Sequence, residues 1–174
     1  DITLRFLLLP IYSQLREQRS QPLGQARLQF FGGYIHAKLA TRLTEIPDAK
    51  DSITLVLANT TYDDDLELLL LAILVRQLGV RILRLAGLTQ APDIAELINT
   101  LSLQGALIKA PDQANDVQLK QLQNLSVETG QLIFVSGNTP AQADVLRRRG
   151  LMPLSGDIQQ DARTIRDVLA GINS

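Results

Sequence analysis

A chain of 174 residues with 45% apolar and 20% charged residues has the make-up of an ordinary globular protein, with room for one full domain and a small appendage. Its 17 basic and 18 acidic residues leave a net charge of −1, which speaks against a domain that grips nucleic acid through its phosphates. The absence of cysteine excludes disulfides, thiolate metal sites, iron–sulfur clusters and cysteine nucleophiles, and it fits a cytoplasmic location.

The apolar spacing of Phe6 to Leu9, then Ile11, Tyr12 and Leu15, predicts a helix over residues 3–19 that Pro10 should kink or break. The chain starts at Asp1 without Met or signal peptide and already in helical spacing, so it is expected to be a piece of something longer. Residues 20–24, Ser-Gln-Pro-Leu-Gly, form a loop, and a second helix should run from Pro22 or Leu23 to Leu43. Ala26, Phe30, Phe31, Ile35, Leu39 and Leu43 are expected on one face of it. Gly32-Gly33 within that helix reads as a weak point or a close helix crossing. His36, the sole histidine, stands far from any serine or carboxylate constellation and is expected at a surface or interface. Residues 1–47 therefore form a helical bundle that is incomplete at its N-terminus, and the charged link Glu45 to Asp51 leads to a second domain over 52–174.

There the pattern changes. Ser52 to Ala58, Val80 to Ala86, Gly105 to Lys109, Gln131 to Val135 and Leu151 to Leu154 read as strands. Between and after them come helical stretches: Leu66 to Leu78 (closed by Gly79), Pro92 to Leu103, Asn115 to Glu128, Pro140 to Arg149 and Ile158 to Ile172. With no Trp and 4% aromatic residues, the core must be Leu, Ile, Val and Ala, which suits parallel strands buried under helices. The expected fold class is α/β: a small helical bundle followed by a five-stranded, doubly wound parallel sheet. Its natural strand order is the flavodoxin-like 2-1-3-4-5, with a ligand crevice at the carboxyl ends of strands one, three and four. Leu66 to Val75, the longest apolar run, is interrupted by Glu67 and is too short to span a bilayer, so no membrane partner is expected.

Three strand-end loops could carry chemistry: Asn59 to Asp65, Ala110-Pro111-Asp112, and Ser136 to Pro140. None holds a Gly-rich phosphate cradle. Ser136-Gly137-Asn138-Thr139 could offer N–H groups to an anion, but an ordinary helix cap before Pro140 is the simpler reading. Asp63-Asp64-Asp65 suits a helix N-terminus through the dipole. A receiver-type magnesium site is disfavoured, because Lys109-Ala110 and Leu154-Ser155-Gly156 stand where a phospho-acceptor Asp and a Lys are required. Arg147-Arg148-Arg149 reads as a solvated last helical turn. No enzyme constellation emerges.

The order of parts resembles the cobalamin-binding region of MerR-type transcription regulators, as in CarH-like light-responsive repressors and MlrA-like regulators. The likeness rests on Leu9 to Leu15, Leu23 to Ala26 and Phe30 to Leu39 in the bundle, and on Ala72 to Gly79 after the first strand. It implies a Rossmann-like cobalamin-type domain capped by the bundle, but the motif Asp/Glu-x-His-x-x-Gly is lost: its His falls at Asp64 and its Gly at Glu67. Lys109-Ala110-Pro111 replaces the family's usual Ser after strand three, and Ser136-Gly137 partly keeps its small pair after strand four. Asp64, Glu67, Lys109, Ser136 and Gly137 thus mark a vestigial pocket. The resemblance implies a sensor/effector or oligomerisation domain, not an enzyme, with no catalytic or metal residues and no cofactor. DNA would be reached through a helix-turn-helix upstream of Asp1, and a homo-oligomer and a small-molecule or protein effector are implied partners. The alternatives are a tetrapyrrole sensor holding base-on cobalamin or heme, and the corrinoid carrier of a methyltransferase.

Overall fold

The computed structural model describes residues 7–47, 53–61, 66–111, 114–137 and 140–172. The chain divides into two compact units, Asp1–Glu45 and Ile46–Ser174. Among the described residues, no helix is long and apolar enough to cross a membrane.

The first unit holds α1 (Leu9–Glu17) and α2 (Gly24–Glu45), joined by a single 3-10 turn over Gln18–Ser20. Pro10 stands in the first turn of α1, which directly follows Leu7 and Leu8 in a π-helical conformation, so the change to regular α-helix falls beside the proline; residues 3–6 of the expected helix lie outside the described residues. Leu23 takes a left-handed conformation, φ 59°, which delays the start of α2 to Gly24. A Cβ on Gly24 would lie 2.2 Å from the Gln18 carbonyl oxygen, so this reversal accepts glycine alone. A Cβ on Gly32 would lie 3.2 Å from the Tyr12 ring, which makes Gly32 the site of a close helix crossing; Gly33 has open space around it.

The expected single apolar face of α2 needs correction. Ile35, Leu39 and Leu43 are buried, yet Phe30 is 81% exposed and Ala26 is exposed too. Helical geometry gives the reason. From Phe30 to Leu39 the helix makes about two and a half turns, so the two side chains leave on opposite sides. The consistent row is Phe31, Ile35, Leu39 and Leu43, at four-residue spacing.

The second unit alternates β1 (Thr54–Asn59), α3 (Leu66–Gln77), β2 (Arg81–Leu88), α4 (Ala91–Leu101), β3 (Gly105–Lys109), α5 (Asp116–Thr129), β4 (Leu132–Ser136), α6 (Pro140–Arg148), β5 (Met152–Pro153) and α7 (Ile158–Ile172). All strand pairs are parallel, and the order is β2-β1-β3-β4-β5. This is the doubly wound, flavodoxin-like sheet that the alternation of elements predicts. The Pro of β5 is tolerated because that strand closes the sheet edge, where a ladder N–H is not needed. At the other edge, β2 runs on to Leu88 because the β1–β2 register shifts between Leu57 and Asn59 and pairs Asn59 with Leu88.

The helices sort onto two faces: α3 packs with α7, and α4 packs with α5. Leu66, Leu68 to Ile73 and Val75 of α3 are all buried, as its nearly unbroken apolar sequence demands. Each large side chain among them contributes about 1.5–3 kcal/mol by leaving water. Strand alternation divides the sheet core in the same way. Val56, Ala58, Ala106, Ile108, Ala110, Ile133 and Val135 join the core under α4 and α5. Leu55, Leu57, Leu107, Phe134 and the strand-end residues Asn59, Lys109 and Ser136 alternate with them and so face α3 and α7. Local caps fix the remaining boundaries. Asn115 and Gln118 form a reciprocal capping box at the start of α5, with bonds of 3.0 and 2.9 Å. Gly130 closes that helix with φ 62°.

Candidate functional site

On the α3/α7 side the apolar rows of the central strands give way, at their last residue, to a polar row. The register pairs Asn59 with Lys109 and Lys109 with Ser136, so three adjacent strands end in an amide, an ammonium and a hydroxyl. Each is placed by the ladder. The Lys109 carbonyl accepts from the Thr60 amide at 3.1 Å and the Thr60 hydroxyl at 2.9 Å. The Ser136 carbonyl accepts from the Ala110 amide at 3.1 Å. Lys109 is 7% exposed, an unusual depth for a lysine.

Above this row lies a cavity of about 320 Å³, lined by Glu67, Leu68 and Leu71 of α3, Lys109, Ser136, Gly137, Leu154, Gly156, and Ile158 and Asp161 of α7. Of the five residues marked by the sequence, the structure brings Glu67, Lys109, Ser136 and Gly137 to this one cavity. Asp64, with its neighbours Asp63 and Asp65, lies outside the described residues. The crevice was expected at the ends of strands one, three and four. Among the described residues, this cavity sits at the ends of β3 and β4, beside the first turn of α3 and against the loop after β5. A second cavity, about 300 Å³, opens on the α4/α5 side at the ends of β1, β2 and β3 between Thr60, Thr89, Gln90 and Gln118.

Asp161 is the site residue that the sequence did not single out. It is 4% exposed, and its carboxylate accepts from the Ser155 amide and hydroxyl, both at 2.8 Å, and from the Gly156 amide at 2.9 Å. A buried carboxylate is tolerated when donors satisfy it, and here it staples the β5–α7 loop to the first turn of α7. In the sequence it looks like any acidic residue in the first turn of a helix, so the only available signal was the Ser155-Gly156-Asp157 turn just before it.

The other marked features are local. Arg147 pairs with Asp144 at 2.9 Å and Arg148 donates to the Asp144 carbonyl at 3.3 Å, both within α6, while Arg149 meets Asp116 in the first turn of α5 at 3.3 Å. His36 is half-buried on α2. Among the described residues, no group of three or more His, Asp or Glu side chains is close enough together to hold a metal ion.

No protein-family model matches the chain, and no curated protein matches it. Among solved structures, it is similar to a crystal structure of a Burkholderia pseudomallei protein provisionally described as pilus assembly-related. The identity is 20%, the match covers 70% of this chain and 94% of the other, and the TM-score is 0.48. A likeness of that size carries no inference about what this chain does.

Proposed function

We propose that this chain is the effector or oligomerisation domain of a MerR-type transcription regulator that has kept the scaffold of a cobalamin-binding domain and lost its cobalt chemistry. The observation that carries this reading is the composition of the strand-end cavity. Glu67 stands on its wall at the position where the resemblance requires a glycine for close approach, and buried Lys109 stands where it offers a serine. A glutamate side chain obstructs the approach of a corrin edge, and a carboxylate at position 64 is a poor cobalt ligand beside imidazole. In this reading DNA is contacted by a helix-turn-helix upstream of Asp1. The regulator acts as a homo-oligomer, and a small molecule or a protein serves as its effector.

The test is a visible absorption spectrum of the purified chain, taken in the dark before and after mixing with adenosylcobalamin, methylcobalamin and hemin and removing unbound ligand. The expected result is a colourless protein in every case, and likewise for the Asp64→His, Glu67→Gly double variant. A retained corrinoid or heme band in the unmodified chain overturns the loss of tetrapyrrole binding. A full-length protein without a helix-turn-helix ahead of this domain overturns the regulator assignment.

A further inference from the structure

We propose that the α4/α5 cavity at the ends of β1, β2 and β3 is a binding site for an uncharged, hydroxyl-rich ligand of monosaccharide size. It lies on the face of the sheet opposite the cavity of the regulator reading and stands independently of that reading. The strand order sets its place. β2 and β3 flank β1, so the chain leaves β1 towards α3 on one face and leaves β3 towards α5 on the other, and a crevice opens between the diverging loops. Thr60 and Thr61 line it from the end of β1, Leu88 to Ala91 from the β2–α4 turn, and Pro111 from the end of β3. Gln118, Gln121 and Leu122 of α5 close the other side. A volume of about 300 Å³ corresponds to roughly ten water molecules at about 30 Å³ each, near the ~12 heavy atoms of a hexose.

The class of ligand follows from the groups on the wall. Among the described residues, no hydrogen bond engages the Thr89 hydroxyl or the side-chain amides of Gln90 and Gln121. Gln118 Oε1 accepts from the Asn115 amide at 2.9 Å, which leaves its Nε2 to donate. The Thr60 hydroxyl donates to the Lys109 carbonyl at 2.9 Å and keeps lone pairs to accept. Gln90 gives α4 no side-chain cap, and Ala91, the first residue of that helix, is buried on the wall, so its N–H is open to a ligand oxygen. Donors and acceptors mixed in this way match hydroxyl groups, which both give and accept, while Leu88, Pro111 and Leu122 supply an apolar patch for the C–H face of a ring. Charge argues against an anion. Among the described residues, no lysine, arginine or carboxylate lines the cavity. Lys109 stands at the end of β3 but faces α3 and α7, and Lys120 of α5 is exposed outside the lining. Asp93 and Asp116 sit in the first turns of α4 and α5, where they offset the helix dipoles, and Arg149 meets Asp116 at 3.3 Å. In the sequence Asp63 to Asp65 follow Thr61 after one residue and Asp112 follows Pro111, so both bordering loops carry negative charge.

The test is titration of the 174-residue chain with D-glucose, D-galactose, D-mannose and myo-inositol, followed by amide chemical shifts, and then with the monophosphate of whichever compound binds. At least one of the neutral compounds should bind saturably at millimolar concentration, with shifts centred on Thr60, Leu88 to Ala91 and Gln118 to Leu122. Its monophosphate should bind about fivefold or more weaker, because the bordering loops repel an anion. Thr89→Val and Gln121→Leu each remove a hydrogen-bonding group at nearly constant side-chain size, and each should weaken binding by about fivefold. Absence of saturable binding by every neutral compound, shifts centred on Ser155 to Asp161 instead, a monophosphate that binds as tightly or more tightly, or full affinity in either variant overturns the proposal. Gln121 is exposed, so Gln121→Leu and the monophosphate comparison decide the matter if Thr89→Val does not fold.

Discussion

Replacing Asp161 tests whether one buried carboxylate holds the wall of the cavity. In Asp161→Ala three hydrogen bonds disappear, two to the amides of Ser155 and Gly156 and one to the Ser155 hydroxyl, at 2.8–2.9 Å. Ser155 and Gly156 are exposed, so water can satisfy the released donors, and each bond is best counted at its net worth of about 1 kcal/mol. The expected loss is about 3 kcal/mol, a large share of the roughly 5–15 kcal/mol that stabilises a domain. In a chain of this size that lowers Tm by about 6–12 °C. Ser155→Ala removes one of the three bonds and should cost about 1 kcal/mol. Because both substitutions break the same hydroxyl–carboxylate contact, the double variant should lose clearly less than the sum of the two. Differential scanning calorimetry of the four proteins measures this. A fall of less than about 2 °C in Asp161→Ala, or strict additivity in the double variant, refutes the staple.

Two further substitutions probe the frame that carries the site. A Cβ on Gly105 would lie 2.3 Å from the Leu132 carbonyl oxygen, at the head of the β3–β4 ladder, and the residue holds φ at 155°. Gly105→Ala must therefore displace strand backbone, at a cost of about 3 kcal/mol or more, seen as early thermal unfolding or loss of folded protein. Asn115→Ala removes the half of the α5 capping box in which the Asn115 side chain accepts from the Gln118 amide, and leaves the Asn115 N–H to donate to Gln118 Oε1; it should cost about 1 kcal/mol, whereas Asn115→Asp should stay near the parent, and chemical denaturation separates the two.

The sheet was legible because its signals were local and repeated. Short β-branched runs such as Ile53 to Ala58 alternate with helical stretches closed by Gly79 or Gly130, and that alternation leaves few chain paths other than a parallel, doubly wound one. The face of α2 was less legible, since three- and four-residue steps mixed in one list can wander around a helix: Ala26 and Phe30 start on the side opposite Ile35 and Leu39. The strand-end cavity could be marked at Glu67, Lys109, Ser136 and Gly137 because strand ends and a helix start can be counted along a sequence. Its apolar wall could not. Leu68, Leu71, Leu154 and Ile158 meet only through the packing of α3 on α7, between segments far apart in the chain, and Asp161 becomes special only when buried.

The division of the sheet into two faces explains how such a site can change its ligand without changing its fold. On the α4/α5 side the central strands stay apolar to their ends, with Ala58 and Ala110 buried in the core. On the α3/α7 side the same strands end in Asn59, Lys109 and Ser136. The backbone under that row is held from neighbouring strands: Thr60 binds the Lys109 carbonyl twice, and Ala110 binds the Ser136 carbonyl. Because these bonds use main-chain acceptors, they do not depend on which side chain occupies position 109 or 136. Substitutions there therefore alter charge and shape in the cavity while the ladder that positions them is unaffected. Gly105→Ala, four residues earlier on the same strand, acts on the backbone itself and should disturb the ladder on which Lys109 and Ser136 stand.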